Sequence, residues 1–209
     1  MGRPKKKVEV IEKVAPHTIK KCELIEHYVD EWARKILGFN GMNGRDGSKG
    51  IIYIDCMSNS GLYYDSEDNL VDGTALRVAK RLNDILPKYP DKMGYVMFND
   101  ISQEKIDCLK REIDKLKLSN ITFRFNCGDG NEFIRELDIR ELQKKCGTLL
   151  LYDPYQATID WDAITPYLNT WGEVIINHMV SDTNRGAAQA TREKAIQKYQ
   201  ETYQRDIAS

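Results

Sequence analysis

Residues 51–61 have the sequence Ile-Ile-Tyr-Ile-Asp-Cys-Met-Ser-Asn-Ser-Gly, in which a short apolar run ends on a carboxylate and leads into small residues. Residues 51–55 are mostly β-branched or aromatic, and the run is too short for a helix, so it predicts a buried strand. The turn from Ser58 to Gly61 lets the backbone approach a bound molecule. Asn59 can replace a glycine there, because Asn tolerates a left-handed backbone. This stretch predicts the first core strand of an α/β fold.

Four further apolar runs predict strands, at residues 95–98, 121–125, 148–152 and 173–177. Around them, apolar residues recur at spacings of three and four, which is typical of helices. The predicted helices are 22–36, 76–86, 106–116, 131–145, 161–168 and the tail from 187 on, and residues 56–72 are predicted as a loop. Strands that alternate with helices predict a Rossmann-like α/β fold, with a mostly parallel sheet and helices on both faces.

The composition is that of an ordinary globular protein. The chain has 209 residues, enough for one domain, and 41% of them are hydrophobic and 30% charged. Residues 1–16 are predicted to be a basic, flexible segment without the apolar stretch of a secretory signal. Residues 17–209 are predicted to form the single domain. No apolar run approaches the roughly 20 residues of a membrane helix, so we expect a cytoplasmic protein.

Charge and cysteine content narrow the possible partners. The net charge of −1 gives no global field for nucleic acid, and the basic cluster at residues 3–7 is better interpreted as a solvated tail than as a nucleic-acid arm. The five cysteines lie far apart, without a C-x-x-C pair, and only three histidines are present. This pattern predicts reduced, mainly core-filling thiols and no metal site.

An acidic residue follows each of the first four predicted strands: Asp55, Asp100, Asp129 and Asp153. Each alone is a common turn or cap residue, but ligands of an open parallel sheet bind at the carboxyl ends of its strands. Asp100 is placed to accept from ribose hydroxyls, and Asp129 to accept from an adenine amine. The turn after Asp55 lacks the G-x-G-x-x-G spacing that seats a pyrophosphate, which favours S-adenosylmethionine over NAD.

Residues Asp153-Pro154-Tyr155 suggest the chemistry. A carboxylate and a strand-end carbonyl can accept both protons of an amine and aim its lone pair at a sulfonium methyl group. Tyr155 can stack on a flipped or single-stranded base. The alternative interpretation is a simple strand-end turn with a partly exposed tyrosine.

Taken in order, these motifs are similar to those of a known family, and they span residues 17–185. They are His17-Thr18-Ile19-Lys20-Lys21 followed by Tyr28 and Trp32, residues 55–61, Gly73-Thr74-Ala75-Leu76, Asp100, Gly128-Asp129, Asp153-Pro154-Tyr155, and Asn177 with Arg185. The chain resembles the three-Cys-motif partner (TcmP) family. Asp153-Pro154-Tyr155 is also related to the Asp-Pro-Pro-Tyr motif of nucleic-acid adenine methyltransferases, although it has one proline.

The resemblance implies a class I methyltransferase-type fold and a partner protein of the three-Cys-motif kind. Sheets of that type usually have more than five strands, so we expect the C-terminal strands to be missing. The sequence thus predicts an S-adenosylmethionine-dependent methyltransferase acting on a nucleobase amine in DNA or RNA. Its predicted cofactor-binding residues are Asp55, Ser58, Gly61, Asp100 and Asp129, its catalytic residues are Asp153, Pro154 and Tyr155, and its substrate or lid residues are His17, Thr18 and Lys21. A non-catalytic adapter and a nucleotide- or NAD-binding enzyme stay open as alternatives.

Overall fold

A computed structural model of the chain describes residues 10–43, 45–154, 159–168 and 171–177, together with Gln197 and Gln200. The elements in chain order are β1 (Glu12–Lys13), α1 (Pro16–Gly38), β2 (Gly41–Met42), β3 (Arg45–Asp46), β4 (Gly50–Asp55), β5 (Leu62–Tyr64), β6 (Leu70–Asp72), α2 (Thr74–Ile85), β7 (Met93–Asp100), α3 (Gln103–Ile113), β8 (Ile121–Cys127), α4 (Gly130–Glu136), α5 (Arg140–Gln143), β9 (Cys146–Tyr152), α6 (Trp161–Ile164) and β10 (Gly172–Ile176). Short 3₁₀ turns follow α2 at Leu86–Lys88 and α6 at Thr165–Tyr167.

Five of the strands form one sheet in the order β10-β9-β4-β7-β8, and every neighbouring pair is parallel. The five apolar runs found in the sequence supply these five strands. From β4 the chain moves outward through β7 to β8, then returns to the other side of β4 with β9. The strand order therefore reverses between β4 and β9, where open α/β sheets form a ligand crevice. The predicted α/β class is confirmed, and the topology is compatible with a Rossmann-like fold.

The sheet has a hydrophobic core on each face, because side chains alternate along a strand. In β4, Ile51 and Tyr53 face one core, which α1, α2 and α3 cover. Ile52 and Ile54 face the other core, which α4, α6 and the 3₁₀ turn after α6 cover. The prediction of helices on both faces is confirmed. All five cysteines are free thiols, and only Cys127 among them is exposed.

The single helix predicted over residues 131–145 is wrong, because α4 ends at Glu136 and α5 begins at Arg140. At the break, Leu137 takes an extended conformation, with φ −64° and ψ 110°. The Tyr167 hydroxyl donates to the backbone oxygen of Ile134 at 2.5 Å, and Ile139 packs into the same core as Ile134. The break therefore coincides with tertiary contacts that the local helical pattern does not show.

The predicted loop over residues 56–72 contains a small second sheet. Strands β5 and β6 pair antiparallel, and β1 joins β5 in parallel, giving the order β1-β5-β6. The packed part of the chain thus begins before residue 17. Val10 and Ile11 pack against the first core, and Glu12 forms a 2.6 Å ion pair with the buried Lys105 of α3.

The predicted tail helix from residue 187 on lies outside the described residues, apart from Gln197 and Gln200, which are helical. In the part of the chain that the structure describes, no helix is both long enough and apolar enough to cross a bilayer.

The Glu12–Lys105 pair gives a test of the N-terminal packing. We expect Glu12→Gln to lower the free energy of unfolding by about 2 kcal/mol, because a buried ammonium loses a charged hydrogen-bond partner. The matched control is Lys13→Gln, which breaks only the exposed pair with Asp68; it should cost about 0.5 kcal/mol. Urea titrations of both variants measure the difference, and equal effects would contradict the structural role of residues 10–13.

Candidate functional site at the carboxyl edge of the sheet

The five central strands end at one edge of the sheet, here called the carboxyl edge. Asp55 ends β4 and Asp100 ends β7. Asp153 and Asn177 come directly after β9 and β10, and Asp129 is the second residue after β8. Because the strands are parallel, the polar residues predicted from separate parts of the sequence share this edge. These residues differ in their burial and in their hydrogen-bond partners.

The turn after β4, residues 56–61, has two left-handed residues. Asn59 has a φ of 57° and Gly61 a φ of 74°. The conformation predicted for Asn59 is confirmed, and its side chain accepts from the Ser60 N–H at 2.6 Å. A Cβ atom at Gly61 would lie 2.5 Å from Leu109 Cδ1, so this position excludes larger residues. The turn therefore takes a fixed shape that only small or left-handed-tolerant residues permit.

The end of β7 anchors this turn. The Ser58 N–H donates to the Asn99 backbone oxygen at 2.8 Å, and the Asn59 N–H donates to Asp100 Oδ2 at 3.0 Å. Asp100 is only 4% exposed, and its Oδ1 accepts from the Ser102 N–H at 2.9 Å. Each carboxylate oxygen has two acceptor sites, so each can take one more hydrogen bond. Asp100 thus positions the backbone of the turns that follow β4 and β7 and keeps further acceptor capacity.

Asn99 is a site residue that the sequence analysis missed. Its Nδ2 donates to the Cys56 oxygen at 2.9 Å and to the Gly128 oxygen at 3.0 Å, while its Oδ1 accepts from Asn126 at 2.7 Å. The side chain is completely buried and ties together the turns that follow β4 and β8. A polar amide at the end of an apolar strand, just before Asp100, is the signal that would have indicated it.

Asp55 is buried at the centre of the edge, with 2% of its surface exposed. Burial raises the pKa of its carboxyl to about 8, and the nearby charges of Asp153 and Asp100 add to the effect. The Met57 N–H donates to its Oδ1 at 3.2 Å, which opposes the rise in pKa without cancelling it. Asp55 is therefore a neutral carboxylic acid at pH 7, able to donate a hydrogen bond.

Asp153 is held between two elements. Lys21 Nζ of α1 donates to its Oδ2 at 2.6 Å, and Asn177 Nδ2 donates to its Oδ1 at 2.5 Å. Lys21 and Asp153 have side-chain exposures of 30% and 24%, so the pair lies at the surface of the crevice.

Of the predicted lid residues, the structure brings Lys21 to the edge. His17 is exposed in the first turn of α1, and the Thr18 N–H donates to the Ala15 oxygen. Pro154 is buried, and Tyr155 lies outside the described residues.

Asp129 is the N-cap of α4, and its Oδ1 accepts from the backbone N–H groups of Asn131 and Glu132 at 2.8 and 3.0 Å. It is exposed, and it borders a cavity of about 310 Å³ between β8 and α4. The helix comes close to the turn after β4, because a Cβ atom at Gly130 would lie 2.8 Å from the Cys56 oxygen. Asp129 thus has a structural role as a cap beside the crevice.

Two further features of the edge concern ligand contact. Ser58 is 5% exposed, and its Oγ has no hydrogen-bond partner among the described residues. Ile101, which follows Asp100, is 77% exposed although it is apolar. No group of three or more His, Cys, Asp and Glu side chains in the described ranges is arranged to hold a metal ion.

The fold and this edge define an α/β protein with a parallel five-stranded sheet and a polar carboxyl edge at its switch point. No protein-family model matches the chain, and no curated protein matches it. The resemblance to the three-Cys-motif partner family therefore stays a prediction.

The raised pKa of Asp55 predicts how stability depends on pH. The carboxyl of the unfolded chain ionises near pH 4, whereas the folded one stays protonated to about pH 8. The unfolded state therefore binds fewer protons, and the contribution of Asp55 to stability falls as the pH rises through this window. We expect Asp55→Asn to gain stability relative to the wild type between pH 5 and pH 8, on the order of a few kcal/mol.

Thermal or urea unfolding at several pH values measures this difference. Asp65→Asn is the control, since hydrogen bonds from Asn69 keep the pKa of the exposed Asp65 carboxyl below its usual value. That carboxylate is ionised in both states over the window, so its variant should show a constant difference. A constant difference for Asp55→Asn as well would contradict the buried neutral acid.

The anchoring role of Asp100 predicts a contrast between two aspartates. Asp100→Asn should lower the free energy of unfolding by about 1–3 kcal/mol, because an amide has one acceptor oxygen for two backbone donors. Asp129→Asn should change it by less than about 0.5 kcal/mol, because Asn caps a helix as well as Asp. Chemical unfolding compares them, and a neutral Asp100→Asn variant would show that the turn does not depend on this carboxylate.

Proposed function

We propose that the chain is an S-adenosylmethionine-dependent methyltransferase that acts on an amino group of a nucleobase. The observation that carries the proposal is the anchored turn after β4. It lies at the switch point of a parallel sheet, in a left-handed conformation held by Asp100. Ligands of open α/β sheets bind at this point.

The residues around the turn suit the nucleoside part of the cofactor. Asp100 keeps acceptor capacity for ribose hydroxyl groups, as proposed from the sequence. The exposed Ile101 gives an apolar surface on which the adenine ring can lie, which would remove most of the side chain from water. The Ser58 Oγ is buried in the turn and has no hydrogen-bond partner among the described residues. Together these groups fit a ribose, a base and polar substituents.

The turn after β4 also fits a cofactor without phosphates. It has no G-x-G-x-x-G spacing for a pyrophosphate. This feature favours S-adenosylmethionine over a dinucleotide.

The amine acceptor is proposed to bind at Asp153. Asn177 donates to one oxygen of this carboxylate, and the other oxygen accepts from the side-chain amine of Lys21. A nucleobase amine bound in place of the Lys21 ammonium would be held by the same acceptor. Stacking by Tyr155 and a nucleic-acid substrate stay proposals from the sequence.

One observation favours a second candidate, a non-catalytic adapter with this fold. Both oxygens of Asp153 are engaged within the chain, so an incoming substrate must displace Lys21. An adapter would bind the cofactor, or none, and would transfer no methyl group to any substrate.

Calorimetric titration of S-adenosylmethionine tests the cofactor site. We expect binding with a dissociation constant on the order of micromolar, weakened about tenfold by Ile101→Ser, since about 1.4 kcal/mol of apolar contact is lost. The substitution should not affect folding, because Ile101 is exposed. Leu118→Ser is the matched control, as Leu118 is an exposed apolar residue ahead of β8, at the opposite end of the sheet, and it should leave affinity unchanged. No binding by folded protein would contradict the proposal, and equal affinities for both variants would remove Ile101 from the site.

A further inference from the structure

The carboxylate proposed to hold the acceptor amine holds a primary amine of this same chain. Lys21 Nζ lies 2.6 Å from Asp153 Oδ2, and Asn177 occupies the other oxygen of the carboxylate. Asn177 therefore fixes which oxygen faces Lys21. The lysine nitrogen lies where the proposed reaction requires a nitrogen acceptor.

The position of Lys21 is built into the fold. Its neighbour Cys22 and the next-turn residue Ile25 are buried in the core under α1, which fixes the rotation of the helix. Two turns further along the same face, Tyr28 donates from its hydroxyl to Glu173 of β10 at 2.5 Å. Two hydrogen bonds therefore hold the helix against the β9–β10 side of the sheet, and the one made by Lys21 lies at the carboxyl edge.

Other paired lysines in the described ranges lie elsewhere. Lys105 pairs with Glu12, Lys80 with Asp72, Lys13 with Asp68, Lys115 with Glu112 and Lys144 with Glu141, and none of these carboxylates follows a strand of the central sheet at its carboxyl edge. Lys20, the neighbour of Lys21, is exposed. The pairing therefore distinguishes Lys21 from the adjacent lysine of the same helix.

We propose that Lys21 is a methyl acceptor in its own right, and that the protein methylates this side chain within the same molecule. The inference rests on the proposed function, because the methyl donor is S-adenosylmethionine. It adds a modification site and an acceptor class, a primary alkylamine, to the nucleobase amine proposed above.

The reaction balances with this one donor. The Lys21 ammonium first loses a proton to solvent, and Asp153 keeps the neutral amine in place by accepting a hydrogen bond from it. The nitrogen lone pair of the neutral amine then attacks the methyl carbon, and an N–C bond forms as the S–C bond breaks. The bonding electrons of the S–C bond stay on sulfur, giving S-adenosylhomocysteine and a methylated ammonium. One proton is released overall, and the positive charge of Lys21 is kept.

The experiment incubates the full chain with S-adenosylmethionine and follows its intact mass, with tandem mass spectrometry to locate the modification. The variants are Lys21→Arg, which keeps the cation but removes the acceptor, and Lys20→Arg as the matched control. Asp153→Asn tests the carboxylate. Cofactor binding is measured on the same samples by calorimetry.

We expect a mass increase of one methyl group on Lys21 that is lost in Lys21→Arg, kept in Lys20→Arg and strongly slowed in Asp153→Asn. Because the bound donor, Lys21 and Asp153 meet within one protein molecule, the rate should not change when the protein is diluted at a saturating concentration of cofactor. Protein that binds the cofactor but leaves Lys21 unmodified would overturn the inference alone. Methylation of Lys20 instead, or a rate that falls on dilution, would also overturn it. Absence of cofactor binding would overturn the proposed function and the inference together.

Discussion

The contact between the end of β7 and the turn after β4 is the interaction on which the carboxyl edge depends. Asp100 accepts from the backbone of Asn59, and Asn99 accepts from that of Ser58. A left-handed backbone at a non-glycine residue costs free energy, which the hydrogen bonds from the turn to the Asp100 side chain and the Asn99 backbone oxygen offset. These hydrogen bonds therefore hold the turn in its left-handed conformation beside the ends of the strands.

The strand order places this anchor where a ligand can use it. The chain begins the sheet at its centre with β4, builds outward to β8, and returns to the other side with β9. The connections after β4 and β9 therefore diverge to opposite faces and leave a crevice between them. Helix α1 borders one side of that crevice through Lys21. The same sheet edge therefore contains the buried neutral carboxyl of Asp55, the anchored turn after β4, and the Lys21 side chain paired with Asp153.

Local patterns in the sequence were enough to predict the five core strands, the helices around them and the left-handed Asn59, because burial and turn chemistry act over short distances. They did not predict features that depend on distant residues. Tyr167 contacts the backbone of α4 near its end from outside the local sequence, and the pairing of β1 with β5 joins segments some fifty residues apart. Asn99 and Ile101 were missed for the same reason, since only the assembled edge shows that one bridges two turns and the other stays exposed. Lys21 was found through a family resemblance, but its pairing with Asp153 needed the fold.

Amide hydrogen exchange with and without S-adenosylhomocysteine tests most directly the claim that the anchored turn at the switch point is the cofactor site. Ligand binding at the turn should slow exchange at residues 56–61 and 100–102. Little change is expected around Leu118, ahead of β8 at the opposite end of the sheet. Protection confined to that opposite end, or no protection at a saturating concentration of ligand, would contradict a cofactor site at the turn.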